Sequence, residues 1–102
     1  MRDADLYGGL IRLHILHHAS QEPVFGLGII EELGRHGYKL SAGTLYPMLH
    51  AMEAAGYLRS RPHIVVGKAR RNYRITAKGR AALAAAKEKV TELFGELFED
   101  DV

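Results

Sequence analysis

The stretch LSAGTLYPMLHAMEAAGYL, Leu40 to Leu58, decides how the rest of the chain is read. Leu45, Met48, Leu49 and Met52 recur at i, i+3, i+4 and i+7, the spacing of an amphipathic helix. Yet Gly43 stands near its start and Pro47 in its middle, residues that cost about 1 and about 3 kcal/mol relative to alanine in a helix interior. Two readings are open. A helix beginning at Ser41 leaves Pro47 without its donor, frees the carbonyl of Gly43 and bends slightly. A helix beginning at Thr44 places Pro47 in the first turn at little cost. The first is preferred, and both lead to the same conclusion. Ser41, Ala42 and Gly43 are small, so backbone N–H groups at the helix start can approach an anion, helped by the helix dipole. The face opposite the apolar stripe carries Gly43, Tyr46, Pro47, His50 and Ala54. A helix that gives up stability at an exposed start is read here as a working surface.

Working upstream, residues 25–36 show a second helix, with Leu27, Ile30 and Leu33 on one stripe, Ile29 beside it and Gly37 as its stop. A short turn, YKL, joins it to Ser41. Before it, residues 6–18 form a helix with Asp5 as its N-cap. That helix is apolar on two faces, Leu6, Leu10, Leu13 and His17 on one, Ile11, Ile15 and His18 on the other. It is therefore expected to lie between two layers. Downstream of Gly56, residues 57–66 and 70–76 have strand composition and flank a turn, GKA. Arg71, Tyr73 and Ile75 share one side of the second strand and Arg70, Asn72 and Arg74 the other, while Pro62 argues for an edge. Helix, helix, turn, helix and hairpin make a winged helix-turn-helix. Thr76 caps a last helix in which Leu83, Ala86, Val90, Leu93 and Leu97 alternate at threes and fours, a coiled-coil seam widened by Phe94 and Phe98. So small a domain has too few facing residues to cover that seam. The expected architecture is mainly α with a β-hairpin: a winged helix-turn-helix over 1–79 and a dimerisation helix over 80–102. Leu10, Leu83, Val90, Leu93, Phe94, Leu97 and Phe98 are the expected contacts of a homodimer.

Composition narrows the function. With 102 residues the chain holds one domain, too small to wall off a deep catalytic cavity. There is no cysteine, which excludes disulfides, zinc-thiolate sites and thiol nucleophiles. The N-terminus lacks the form of a signal peptide, and no apolar run approaches the 18 or so residues of a membrane span; a cytoplasmic protein without membrane contact is expected. Net charge is only +2, but its distribution is uneven. Tyr57 to Ala81 holds eight basic residues and no acidic one, whereas Glu88 to Asp101 holds six acidic residues against Lys89. One end of the chain suits a polyanion. No phosphate loop, H-E-x-x-H or nucleophile–base pair appears, so neither an enzyme nor a cofactor is expected.

KLSAGTLYPMLHAMEAAGYL followed by GKARRNYRITAKGRAAL resembles the PadR family of bacterial transcriptional repressors. Ser41, Gly43, Thr44, Leu45, Tyr46, Pro47, Leu49, Glu53 and Gly56 match its helix motif, with Met52 for a leucine. Arg71, Tyr73, Thr76 and Gly79 match the end of its wing, with Ile75 for a leucine. EPVFGLGIIEEL resembles a further segment, but Phe25, Leu27 and Gly28 replace two tyrosines and a glutamate. The resemblance covers residues 10–83 and implies a repressor, a small subfamily with one dimerisation helix, and release by a small apolar or aromatic effector near Phe94, Phe98 and the first helix. Double-stranded DNA with a palindromic operator is the expected partner. Lys39, Ser41 and Thr44 are read as phosphate contacts, Tyr46 as a phosphate or sugar contact and His50 as reaching a base edge. Lys68, Arg70 and Arg71 at the wing tip are read as phosphate or minor-groove contacts. Two other readings stand beside this one. The basic hairpin could serve an acidic protein partner. His14, His17 and His18, at i, i+3 and i+4, could ligate a metal, though ordinary packing is favoured and no metal site is assigned.

Overall fold

The computed structural model describes residues 1–99, so Asp100, Asp101 and Val102, within the acidic end, lie outside the described residues. Helix α1 is Asp3–Leu6, α2 Gly8–Gln21, α3 Gly26–Arg35 and α4 Ala42–Ala54; strands β1 Leu58–Val65 and β2 Lys68–Ile75 follow, then α5 Ala77–Phe94 and a π-helical turn, Gly95–Glu99. The first helix is thus two pieces broken at Tyr7. Asp5 is not an N-cap: it sits inside α1, its carboxylate accepting from the Arg2 amide.

Ile11, Ile15, Leu16 and Ala19 of α2, Ile29 and Leu33 of α3, Leu45, Met48, Leu49 and Met52 of α4, then Leu58, Tyr73 and Leu83, form one buried core. The four α4 residues are those of the sequence pattern. On α3 the inward stripe is centred on Ile29 and Leu33, and Leu27 points to solvent. The expectation of two layers around the first helix is half met. Ile11 and Ile15 are buried in the core, while Leu6, Leu10 and His17 on the other face remain exposed. The described residues supply one layer.

Helices α3 and α4 end alike. Gly37 and Gly56 both have φ +88°. The Tyr38 amide reaches back to the Leu33 carbonyl at 2.9 Å, and the Tyr57 amide to that of Met52 at 2.9 Å. These are Schellman closures, which need a residue that tolerates positive φ.

The strands pair antiparallel, Leu58 opposite Ile75 and Val65 opposite Lys68. The turn is therefore Val66–Gly67, not GKA. Both have positive φ, 49° and 74°, as in a type I′ hairpin. Val66 is an unexpected residue there, because a branched Cβ crowds the left-handed region. It is 95% exposed. The shift places Arg70 opposite His63 and Arg71 opposite Pro62, so both lie mid-strand and only Lys68 adjoins the tip. Pro62 occupies an edge, as expected. A further short pairing, Val24 with Tyr73, ties the α2–α3 connection to β2 through amides bonded at 3.0 and 2.7 Å.

Candidate nucleic-acid interface

Ser41 takes the N-cap position of α4, the first of the two readings, so Pro47 lies within the helix. Its hydroxyl does not cap the backbone; it approaches the Thr44 hydroxyl at 3.3 Å. Among the described residues the amides of Ala42 and Gly43 find no backbone acceptor, leaving two donors at an exposed helix start. Lys39 precedes them in the turn, and Pro47 and His50 continue the same open face.

Tyr46 is less free than its place opposite the apolar stripe suggested. It is 37% exposed, and its ring lies over the start of α3: a Cβ on Gly26 would come within 2.2 Å of its hydroxyl oxygen. Gly26 leaves the space that seats the ring. The Tyr46 hydroxyl makes no hydrogen bond among the described residues, so it stays available to an outside acceptor.

The wing is fastened to this helix by a carboxylate. Glu53, in the last turn of α4, accepts from the Ser60 amide at 2.7 Å and from the Ser60 hydroxyl at 2.8 Å. Arg71 donates to the Ser60 hydroxyl at 3.3 Å. The Ser60 amide and hydroxyl hold the Glu53 carboxyl below its ordinary value, against a small opposing effect of burial. Hydrogen bonds to a charged group contribute about 1.5–3 kcal/mol. Glu53→Ala should therefore cost about 2 kcal/mol and lower Tm by roughly 10 °C at pH 7. A depressed carboxyl stabilises the fold above its unfolded value, near 4.5, and that contribution is lost as pH falls through the folded value. The gap in Tm between wild type and variant should close on acidification; a gap independent of pH would show that packing, not charge, is lost.

Arg70 lies on the other side of β2, its guanidinium 3.6 Å from the centre of the Phe25 ring. This stacking orients the side chain at the hairpin's edge. It also gives the phenylalanine, one of the departures in the EPVFGLGIIEEL segment, a visible role. Neither the Glu53–Ser60 clasp nor the Phe25–Arg70 stack was drawn from the sequence. The signal for the clasp was a lone acid at the end of an otherwise uncharged helix.

Away from this face, Leu10, Val90, Leu93, Phe94, Leu97 and Phe98 are between 45% and 58% exposed. Leu83 is only 9% exposed and packs in the chain's own core. Between α2 and the end of α3, His14 and His18 meet His36, which caps α3; the third histidine of this corner is not His17. Burial lowers the pKa of His14 and His18, with the neighbouring His36 lowering that of His14 further.

A hydrophobic helix-turn-helix core, a clasped basic hairpin and a terminal helix with exposed apolar side chains are thus joined in one chain. The model of the transcriptional regulator PadR-like family matches residues 15–85. The chain belongs to this family. It is 52% identical over 87 residues to the transcriptional regulator Rv3488 of Mycobacterium tuberculosis, covering 85% of this chain and 81% of that protein. Among solved structures it resembles a PadR family transcriptional regulator from Eggerthella lenta, at TM-score 0.82 and 27% identity, covering 93% of this chain and 84% of the other. A PadR-like transcriptional regulator from Bacillus cereus aligns at TM-score 0.82 and 27% identity, over 91% and 92% of the two chains. The fold is therefore the PadR winged helix, and the protein is a PadR-like transcriptional regulator. No helix among the described residues is long and apolar enough to cross a membrane.

Proposed function

We propose that this PadR-like regulator acts as a homodimeric repressor in the cytoplasm, binding a palindromic operator through α4 and the wing. The observation that carries this reading is the Glu53–Ser60 clasp, which fixes the basic hairpin against the end of α4. Lys39, Ser41, Thr44, Tyr46 and His50 follow the exposed start and face of α4. Lys68, Arg70 and Arg71 line a hairpin whose clasp to Glu53 fixes it relative to that helix. Phosphate contacts from the helix start and wing would set the register, leaving His50 to face base edges.

In this division residues 1–79 carry the DNA contacts and 80–102 the dimer contacts, although Leu10 joins the latter and Leu83 serves the core of the first part. Two α4 helices in a two-fold dimer read half-sites about one helical turn, roughly 34 Å, apart. Leu10 and the α5 residues Val90, Leu93 and Phe94, continued by Leu97 and Phe98, offer the dimer surface. The apolar groove between α2 and α5, lined by Leu10, Leu13, Ala86 and Val90, suits the small apolar effector that would release the operator.

Selection of bound duplexes from a random library at near-physiological salt should enrich an inverted repeat. On that operator, Arg70→Glu combined with Arg71→Glu should weaken binding by about 100-fold. If each arginine neutralises one phosphate, the slope of log affinity against log salt should flatten by about two. The variant's Tm is measured alongside, since Arg71 also bonds Ser60. An unchanged slope would remove the wing from the interface, and salt-sensitive binding with no sequence preference would favour an acidic protein partner instead.

A further inference from the structure

Four side chains with metal-binding atoms meet where α2 passes the C-terminal end of α3. His14 and His18 are one turn apart on α2, and Glu32 and His36 one turn apart at the end of α3, so each pair projects from one side of its helix. One nitrogen from each of His14, His18 and His36 lies within 4.8 Å of the other two. A Glu32 carboxylate oxygen stands 3.6 Å from Nε2 of His18 and 3.3 Å from Nε2 of His36. Ligands about 2.1 Å from a tetrahedral ion are about 3.4 Å apart, so the carboxylate is already at that separation. The imidazoles need to close by about an ångström, within reach of side-chain rotation.

Two details point to a ligand rather than to packing. Nε2 of His18 is shut off from solvent and has no hydrogen-bond partner among the described residues, a cost that a coordinated cation would remove. The other Glu32 oxygen is held by Arg35, which fixes the carboxylate's orientation as partners of metal ligands commonly do. A cavity of about 130 Å³ adjoins one side of the cluster, lined in part by His18, Glu32 and Phe25.

We propose that His14, His18, His36 and Glu32 form a binding site for one divalent transition-metal cation, with zinc the best fit. Three imidazoles with one carboxylate suit zinc, nickel or cobalt, whereas magnesium and calcium prefer all-oxygen sites. Bound there, the ion ties α2 to the end of α3, immediately before the turn that leads into α4. The site does not depend on the DNA-binding reading.

Full-length protein freed of metal by chelation is titrated calorimetrically with zinc sulfate, and separately with cobalt(II) while the visible spectrum is followed. The expected result is one saturable site per chain, intense cobalt bands of tetrahedral coordination, and a Tm rise of about 10 °C at a hundredfold excess of zinc over Kd. His36→Gln, at an exposed helix end, and Glu32→Gln should each weaken binding at least tenfold; His17→Gln should leave it unchanged. No saturable binding, weak octahedral cobalt bands, equal affinity in the His36 and Glu32 variants, or an equal loss in the His17 variant would each overturn the proposal. The cobalt spectrum of the wild type tests the tetrahedral coordination even if a variant fails to fold.

Discussion

Val90→Glu combined with Leu93→Glu is expected to convert the proposed dimer into monomers and to lower operator affinity by about 100-fold or more. Both side chains are nearly half exposed in the isolated chain, so charging them leaves its core intact. Their environment explains the size of the effect. With Leu6, Leu10, Phe94, Leu97 and Phe98 they are apolar side chains left exposed by the described residues. Burying each half-exposed side chain contributes on the order of 1 kcal/mol, and the set must exceed the several kcal/mol that association costs. Two glutamates per chain, four per dimer, remove that surplus and add repulsion beside the acidic end. Operator binding falls because the second half-site is then no longer engaged within one molecule, an advantage commonly worth 10²–10⁴ in affinity. Sedimentation and operator titration read both effects. A variant that stays dimeric would move the interface elsewhere, and a monomeric variant with unchanged affinity would show that one half-site suffices.

Gly79→Ala should be the most damaging single methyl in the chain, costing about 3 kcal/mol, with Tm falling by more than 10 °C. A Cβ at Gly79 would stand 2.3 Å from the Tyr57 carbonyl oxygen and 2.7 Å from the Ile75 side chain. The oxygen belongs to backbone and cannot rotate away. It is also engaged, accepting from the Thr76 amide at 3.1 Å, while the Thr76 hydroxyl donates to the Gly56 carbonyl at 2.5 Å and accepts from the Gly79 amide at 3.0 Å. The Lys78 ammonium donates to the Ala55 carbonyl at 2.6 Å, completing the end of α4. Thermal unfolding beside Gly43→Ala makes the comparison. That glycine meets only the Ser41 hydroxyl at 3.7 Å, so alanine there should be neutral or stabilising by up to about 1 kcal/mol. Equal stability of the two variants would show that α5 is not seated as tightly as described.

The parts of the fold that could be read in the sequence are those governed by local periodicity and caps. Leu45, Met48, Leu49 and Met52 face inward as their spacing requires, Gly37 and Gly56 close their helices, and Thr76 caps α5 through the Gly79 amide. What escaped depends on distance along the chain or on a rule being broken. A valine at positive φ placed the hairpin turn at Val66–Gly67, against the preference that led to GKA. His36 and Glu32 join His14 and His18 only once α3 has folded back over α2, so neighbours in sequence suggested His17 instead. Leu83 shares the seam's spacing with Val90 and Leu93, yet it sits where α5 still touches α2 and is claimed by the protomer's own core. Of the candidate DNA contacts, the residue types were legible. Their fastening was not, because Glu53 meets Ser60 and Phe25 meets Arg70 across separate elements.

The strained tip has a consequence for how such a regulator can change over generations. Val66 holds its conformation at a cost of about 1–2 kcal/mol, and hardly anything but solvent surrounds it. Asparagine or glycine at this position would relax the turn without disturbing a neighbour. The stiffness of the wing is therefore adjustable by a single codon, separately from its charge and from the core. A lineage could retune how tightly its wing hugs a groove, and so how forgiving it is of operator shape, while every residue that reads the operator stays the same.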